Sequence, residues 1–167
     1  MRLYTYDYSR IGRYFVTIDV HQMRCLFGRV SDGQLHLSDA GRMIEKWMSK
    51  LPDKFPGVQV DSSVVMPNHI HLIVHVTEQA HTSLKDITTW LKTMTTNEYI
   101  RQVKASSWPQ FDGRLWQRNY YDHIIRDGES LDAIRRYIAG NPARWESDRA
   151  NPERQNRRAP TNWMDTM

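Results

Sequence analysis

The sequence predicts an α+β fold in which helices cover an antiparallel β-sheet. Runs rich in β-branched and aromatic residues alternate with polar residues, as half-buried strands do. Other stretches carry apolar residues at helical spacing, and they follow pairs of strands in the first half of the chain. The resulting order of elements, ββαββαβα, is typical of a sheet with helices on its faces.

Two strands and one helix are predicted in the first third of the chain. Residues 12–20 form the first strand, and residues 25–30 form a second strand that turns at 31–33. Ser38-Asp39 predicts the start of a helix that runs to about Leu51, because these side chains accept hydrogen bonds from the free N–H groups of a first helical turn.

Two longer strands follow, after breaks in the chain at Pro52 and at Pro56-Gly57. The β-branched runs 58–66 and 70–77 predict these strands. Pro67 lies between them and has no N–H group to donate to a central ladder. We therefore expect a turn or a sharp bend at that proline.

Two helices and one strand are predicted in the second half of the chain. Thr82-Ser83 begins a long helix, and residues 120–126 return to strand character. Glu129-Ser130 begins the final helix, which ends at Asn141-Pro142 because a residue before proline is disfavoured in the helical region. From Arg144 onward, proline, asparagine and arginine dominate, which predicts a tail that packs loosely or not at all.

The length and composition indicate one domain, which we place at residues 1–145, with a tail at 146–167. The chain has 167 residues, of which 40% are hydrophobic and 25% charged, so it can bury a core and is neither mainly disordered nor collagen-like. The net charge of +4 and the pI of about 9.3 weakly favour a polyanionic partner.

Several absences favour a cytoplasmic protein. No apolar run approaches the roughly 20 residues of a membrane-spanning helix. The N-terminal residues lack the apolar run of a secretory signal. The only cysteine, Cys25, can form neither an internal disulfide nor a cysteine cluster for zinc, which fits a reducing compartment.

A pair of histidines in the predicted strand 70–77 and just before it could hold a metal ion. Side chains on a strand repeat every two residues, so His69 and His71 share one face and can converge on a divalent cation. A pair of surface histidines is the alternative. His75 shares that face but lies about 13 Å from His71, so we assign it a structural role or at most a DNA contact. Ile73 stands where a histidine-triad nucleotide hydrolase has its third histidine, so the sequence argues against that class of enzyme.

The final helix offers a tyrosine and an asparagine one turn apart. Tyr137 and Asn141 are four residues apart and so project from one helical face. Beside a metal, a tyrosine can serve as a covalent nucleophile, and an asparagine can add an oxygen ligand to two histidines. A mixed nitrogen and oxygen site suits Mg²⁺ or Mn²⁺. The alternatives are a half-buried helix aromatic and a C-terminal helix cap.

Taken together, these segments resemble the HUH single-tyrosine transposases. The strand Pro67-Asn68-His69-Ile70-His71-Leu72 and the helix Tyr137-Ile138-x-x-Asn141-Pro142 are similar to the family's two motifs, above all in the REP-associated tyrosine transposases. The blocks 13–17 and 116–126 also resemble family segments. The resemblance spans residues 10–145 and implies the ferredoxin-like or RRM-like fold of HUH nucleases.

The resemblance implies a function as well as a fold. His69, His71 and Asn141 would bind Mg²⁺ or Mn²⁺, and Tyr137 would attack single-stranded DNA to form a 5′-phosphotyrosyl intermediate. Relatives from insertion sequences often have glutamine at the last ligand position, and Asn141 is one methylene shorter. The implied substrates are REP hairpins, short palindromes of bacterial chromosomes. The implied state is a monomer or a homodimer that associates with the nucleoid while it acts on DNA.

Arginines and aromatic residues near the two motifs are candidate DNA contacts. The arginines could bind phosphates and the aromatics could stack on bases, with a solvated face and core packing as the alternatives. The candidates are Arg118, Arg126, Arg135, Arg136, Trp116 and Tyr120. Tyr121 is an adjacent tyrosine that we assign to packing or stacking rather than to catalysis.

Three other functions remain open at this stage. A relaxase or a replication initiator would nick DNA with the same residues. A domesticated protein would bind hairpin DNA without cleaving it. An unrelated RNA-binding module is disfavoured because the chain lacks an aromatic-rich RNP-type strand.

Overall fold

A computed structural model describes residues 11–157, with no account of the side chains of residues 155–157. The elements are β1 (Gly12–Asp19), β2 (Gly28–Ser31), β3 (Gln34–Leu37), α1 (Asp39–Ser49), α2 (Leu51–Lys54), β4 (Val58–Met66), β5 (His69–Val76), α3 (Leu84–Ser106), β6 (Tyr121–Ile125), α4 (Gly128–Ala139) and α5 (Pro152–Arg157). Short 3₁₀ helices cover His21–Met23 and Pro142–Ser147. The order confirms the predicted fold class and adds β3, α2 and α5 to the predicted elements.

The main sheet has four antiparallel strands in the order β4-β5-β1-β6. Alternation along β1 separates its two faces, as a period of two requires. Tyr14, Val16 and Ile18 are fully buried in the large core, which α1 and α3 cover. Phe15 on the opposite face packs against a smaller core beneath α4. The sheet is therefore buried by helices on both faces, and α4 covers the side that carries the histidines.

Side-chain caps fix where the three long helices begin. Ser38 accepts a hydrogen bond from Gly41 N, and Ser83 accepts one from Asp86 N, so the two predicted starts are confirmed. The prediction for the last helix was two residues late, because Asp127 caps it by accepting from Ser130 N. Among the described residues, no helix is both long and apolar enough to cross a membrane.

The predicted strand at residues 25–30 is only partly correct. Its observed part, β2, pairs with β3 in a separate two-stranded sheet. Asp32 and Gly33 form the turn between them with φ angles of 52° and 71°, as a two-residue hairpin with a right-handed twist requires. β3 has only four residues, too few for the sequence pattern to identify.

Two prolines stand at positions where the sequence predicted a turn or a break. Pro67 and Asn68 join β4 to β5, which confirms the predicted turn. Pro52 was expected to break the chain, but it lies in the first turn of α2, where the missing N–H group costs nothing.

The expectation of a loosely packed tail from Arg144 onward is wrong for the described part of that segment. Trp145 is 7% exposed and Asn151 is 6% exposed, so both are buried against the domain. Asn151 Nδ2 donates to the carbonyl of Trp145 over 3.1 Å. The domain boundary at residues 145 and 146 stays a prediction, and residues 158–167 of the tail lie outside the described residues.

Candidate active site

The two histidines of β5 meet on the α4 face of the sheet. His69 and His71 are 2% and 5% exposed, and their Nε2 atoms lie 3.1 Å apart. Ile70 and Leu72 point into the large core on the other face, as the strand period predicts. Packing of the alternate residues therefore holds both imidazoles on one face and aims them at the same point.

Each imidazole is oriented by a hydrogen bond at its other nitrogen. His69 Nδ1 lies 2.8 Å from Asn68 Oδ1, which can only accept, so the hydrogen of neutral His69 is on Nδ1 and the lone pair on Nε2. His71 Nδ1 lies 2.7 Å from Thr17 Oγ1. Because a hydroxyl can donate or accept, Thr17 serves either tautomer of His71.

Asn68 is itself held in place by the chain around it. Its side chain is fully buried, and Nδ2 donates to the carbonyls of Met23 (3.1 Å) and Ala150 (2.7 Å). These two bonds fix the amide with its oxygen toward His69. The turn after β1 and the C-terminal segment thus converge on one ligand-orienting side chain.

Burial keeps both imidazoles neutral near neutral pH. It lowers the pKa of His69 to about 4, although Asp148 and the side chain of Asn141 partly offset the effect. It lowers the pKa of His71 to about 3, with further lowering from the neighbouring His69 and Arg144. Neutral imidazole is the form that binds a metal ion.

The arrangement fits a divalent cation. Two nitrogen ligands at right angles and about 2.1 Å from an ion are about 3.0 Å apart, close to the separation of the two Nε2 atoms. Asn141 is 1% exposed, and its buried Oδ1 has no hydrogen-bond partner. Across residues 11–157, no group of three or more His, Cys, Asp or Glu side chains is placed to hold a metal ion. A metal ion held here would therefore need the amide oxygen of Asn141 as its third protein ligand.

Helix α4 brings Tyr137 to the same place. The apolar residues Leu131, Ile134 and Ile138 pack this helix onto the sheet. The Tyr137 ring is edge-on to His71, with 5.4 Å between the ring centroids, and 43% of the residue is exposed. The phenol is thus near the histidine pair and open to solvent, where a substrate can reach it.

The segment after α4 adds two residues that the sequence did not identify. The Arg144 guanidinium lies 4.9 Å from the centroid of the Tyr137 ring, and its Nη2 donates to the Tyr137 carbonyl over 2.6 Å. Trp145 lies beside His69, with 6.2 Å between ring centroids. Both residues belong to the segment that was expected to be a loose tail, so its composition hid their position.

Arg135, a predicted DNA contact, forms an ion pair within the protein. Its Nε and Nη2 donate to the two carboxylate oxygens of Asp61 over 2.8 Å and 2.6 Å. Asp61 is the extra residue of a bulge in β4, where the pairing with β5 shifts between Val60 and Ser62. This bidentate pair ties α4 to β4 and so supports the position of Tyr137.

The other predicted contacts divide between the core and the surface. The stacking predicted for Trp116 conflicts with its position: it is 4% exposed and its Nε1 donates to Thr95 Oγ1. Tyr120 is partly buried beneath Lys92 Nζ, which lies 5.9 Å from its ring centroid. Three further arginines are exposed, and contact with DNA stays a prediction for them: Arg118, Arg126 and Arg136.

Two other residues on the same face of the sheet, His75 and Tyr121, lie away from His69, His71 and Tyr137. His75 pairs with Arg13 of β1, at the end of the sheet remote from His69, as expected for a histidine too far away to share an ion, and its role as a structural residue or a DNA contact stays a prediction. Tyr121 on the edge strand β6 pairs with Thr17, which in turn pairs with His71. Tyr121 is 62% exposed and two strands away from the histidines, whereas Tyr137 is in ring contact with His71.

Comparisons with known proteins agree with these motifs. A family model described as "Transposase IS200 like" matches residues 36–141. An uncharacterised protein of Haemophilus influenzae is 37% identical over 161 residues, which cover 89% of each chain. Another protein of that organism, named "Putative REP-associated tyrosine transposase", is 27% identical over 86% of this chain and 77% of its own length.

A solved structure shows the same fold. A REP-associated tyrosine transposase, solved bound to a REP hairpin, superposes with a TM-score of 0.58 at 20% identity. The similarity covers 86% of this chain and 74% of the other. Since the family model spans more than half of the sequence and includes both histidines, Tyr137 and Asn141, the chain belongs to the family of IS200-like transposases.

Proposed function

We propose that the protein is a metal-dependent transposase that cleaves and rejoins single-stranded DNA through a 5′-phosphotyrosine on Tyr137. The observation that carries this proposal is the contact between Tyr137 and His71, beside two imidazole nitrogens 3.1 Å apart. An exposed phenol next to two buried, neutral imidazoles is an arrangement that packing alone does not require. It does suit a covalent nucleophile beside a metal.

His69, His71 and Asn141 would hold Mg²⁺ or Mn²⁺ through two nitrogens and one amide oxygen. When bound, such an ion polarises the scissile phosphate and stabilises the charge that develops on it. The protein contributes the orientation of its ligands, because Asn68 and Thr17 fix the outer nitrogens of the two imidazoles. No histidine needs to lose a proton at neutral pH.

The proposed reaction is a transesterification. Tyr137 Oη attacks the phosphorus and forms the new phosphoester bond, while the bond from phosphorus to the 3′ oxygen breaks. The phenol gives up its proton, and the leaving 3′ oxygen gains one to become a hydroxyl. Rejoining reverses these steps with another 3′-hydroxyl, so no nucleotide cofactor is consumed.

Arg144 is placed to assist this step. Its guanidinium lies over the Tyr137 ring, so its positive charge is close to the place where negative charge develops in the proposed step. A guanidinium there also offers donors to the oxygens of a bound phosphate. We infer that Arg144 stabilises negative charge both on the nucleophile and on the substrate.

The proposed substrate is a REP-type hairpin with a single-stranded flank. One relative of known structure binds a REP hairpin, and a second carries that element in its name. The family motif and the net positive charge of this chain support the extension. A nickase of the relaxase type, or a hairpin-binding protein without cleavage, would give different results in the experiment below.

The experiment detects a covalent DNA adduct. End-labelled hairpins with single-stranded flanks are incubated with the protein and Mg²⁺ or Mn²⁺, denatured, and resolved on a gel. We expect an adduct with wild-type protein that is lost in Tyr137→Phe, which still binds DNA. Tyr121→Phe is the matched control and keeps the adduct. An adduct that does not transfer its strand to an added DNA 3′-hydroxyl end would indicate a nickase, and binding without adduct would indicate a non-cleaving binder.

A further inference from the structure

A groove outside the site runs along the open edge of the sheet. Its wider part, about 710 Å³, lies between α3 and residues 118–122. A second part of about 430 Å³ continues along α3 toward residues 111–118. The two parts share Lys92, Thr93 and Arg118, so they lie next to each other along α3, and we call them together the α3–β6 groove.

The lining of the α3–β6 groove is cationic and rich in hydroxyl groups. Its positive side chains are Lys85, Lys92, Arg114 and Arg118. The one carboxylate among the described lining residues is Asp122, which is 6% exposed. Asp86 and Asp112 each follow a lining residue in the sequence, but their own side chains line neither part of the groove.

One turn after another of α3 presents a hydroxyl to this groove. Thr89, Thr93 and Thr96 lie on its groove side. Thr88 also lines the wider part, but its hydroxyl, like that of Thr95, bonds to a carbonyl of α3 itself. Hydroxyls and cations along a channel are the groups that bind a sugar-phosphate backbone.

The groove leads to the histidine face of the sheet. Tyr121 lines it at one end and stands in the same cross-strand row as Thr17 and His71. Since neighbouring strands are about 4.8 Å apart, the backbone at Tyr121 lies about 10 Å from that at His71. A strand that leaves the groove beside Tyr121 can therefore reach Tyr137 directly.

We propose that the α3–β6 groove binds the single-stranded flank of the substrate DNA, with its phosphates along Lys85 and Arg118 and one base stacked on Tyr121. This inference rests on the proposed function and adds the path of the strand to it. A protein strand paired to the β6 edge is the competing occupant. Such a strand needs apolar pockets for its alternate side chains, whereas most side chains that line the wider part carry a charge, a hydroxyl or an amide, and its apolar groups are the aromatic rings of Tyr120 and Tyr121.

Lys92 has a different part in the groove. Its ammonium group donates to the carbonyls of Gln117 and Arg118 over 2.8 Å and 3.0 Å. It thereby holds the segment that carries Arg118 against α3. Its substitution would disturb the groove wall itself, so Lys85 and Arg118, both exposed, are the residues to change.

The test measures DNA binding in a Tyr137→Phe background, where no cleavage occurs. Fluorescence anisotropy compares a DNA hairpin carrying an oligothymidine flank with the same hairpin without a flank, over a series of salt concentrations. The groove variant is Lys85→Gln with Arg118→Gln. The matched control is Lys50→Gln with Lys54→Gln, two exposed lysines near α2, which packs on β4 at the opposite edge of the sheet.

For the groove variant we expect weaker binding of the flanked hairpin. We also expect the plot of log affinity against log salt concentration to become less steep by about 1.4, which is about 0.7 for each of the two lost phosphate contacts. The unflanked hairpin and the control variant keep the wild-type slope. Tyr121→Ala weakens binding of the flanked hairpin about tenfold, whereas Tyr121→Phe, which keeps the ring, does not.

Three results would overturn the proposal. If the groove variant loses equal affinity for flanked and unflanked hairpins, the duplex stem lies in the groove. If the control variant loses as much affinity as the groove variant, the attraction between charges is unspecific. An unchanged slope in the groove variant would mean that no phosphate lies there. Failure of the wild-type protein to form an adduct is a separate result, because it rejects the proposed cleavage while the binding comparison still locates the strand.

Discussion

At the scale of single residues, His69 and His71, the proposed metal ligands, are held in place by the side chains that contact them. Asn68 connects His69 to two backbone carbonyls, and Thr17 supports His71 from the neighbouring strand. Such outer partners fix the tautomer and the orientation of a metal-binding imidazole. Both histidines follow from strand periodicity, but their partners follow only from the folded structure.

Substitution of Asn68 tests whether the residue that orients His69 also controls metal affinity. In Asn68→Ala, His69 loses its acceptor, so we expect the affinity for Mn²⁺ to fall about 10- to 100-fold while the variant still folds. Isothermal titration calorimetry measures the affinity and circular dichroism checks the fold. Asn97→Ala, an exposed residue of α3, is the control. Wild-type affinity in a folded Asn68→Ala protein would contradict this function of Asn68.

The buried imidazoles also predict how stability depends on pH. The pKa values of His69 and His71 fall from 6.5 in the unfolded chain to about 4 and about 3 in the folded protein. The unfolded state therefore binds more protons below pH 6.5, and the metal-free protein loses stability as the pH falls from 6.5 toward 4. Urea unfolding with EDTA at several pH values measures this loss.

The matched protein for the pH experiment is His69→Gln with His71→Gln, which has no imidazole at the site. We expect its free energy of unfolding to change much less than that of the wild type over the same pH interval. The same loss of stability in both proteins would assign the effect to other groups.

At the scale of elements, the proposed mechanism depends on α4 because this helix carries Tyr137. Its apolar stripe and the ion pair between Arg135 and Asp61 hold it on the sheet. The Arg135 side chain is 43% exposed, so the pair contributes little to global stability. Its effect should appear in the position of Tyr137 instead.

A double-mutant cycle separates this support from DNA binding by Arg135. If the ion pair positions α4, then Arg135→Gln and Asp61→Asn slow adduct formation by similar factors, and the double variant is no slower than either. Arg101→Gln, an exposed arginine of α3 that is not a predicted DNA contact, serves as the control. The opposite outcome is a loss of DNA affinity in Arg135→Gln but not in Asp61→Asn, which would make Arg135 a direct DNA contact.

At the scale of the whole molecule, local periodicity was sufficient for much of the fold and for the candidate ligands. A period of two placed His69 and His71 on one face, and a spacing of four placed Asn141, which lies just beyond the end of α4, near Tyr137. The sequence also predicted the turn at Pro67 and two of the helix caps.

The remaining features depend on contacts between distant parts of the chain. Thr17 and His71 are 54 positions apart, and Arg135 and Asp61 are 74 positions apart, so no local pattern reveals either pair. Arg144 and Trp145 lie in a segment whose composition suggested a tail, and only the fold brings them to the site. The strand β3 was missed because it is short and depends on β2 for its pairing.

The most direct test of the proposed nucleophile is to identify the residue that becomes covalently linked to DNA. The adduct formed with a flanked hairpin and Mn²⁺ is digested with a protease and a nuclease, and the nucleotide-bearing peptide is sequenced by mass spectrometry. We predict a phosphodiester on Tyr137, in the peptide from α4. A phosphodiester on Tyr120 or Tyr121 instead would contradict the assignment of Tyr137 as the nucleophile.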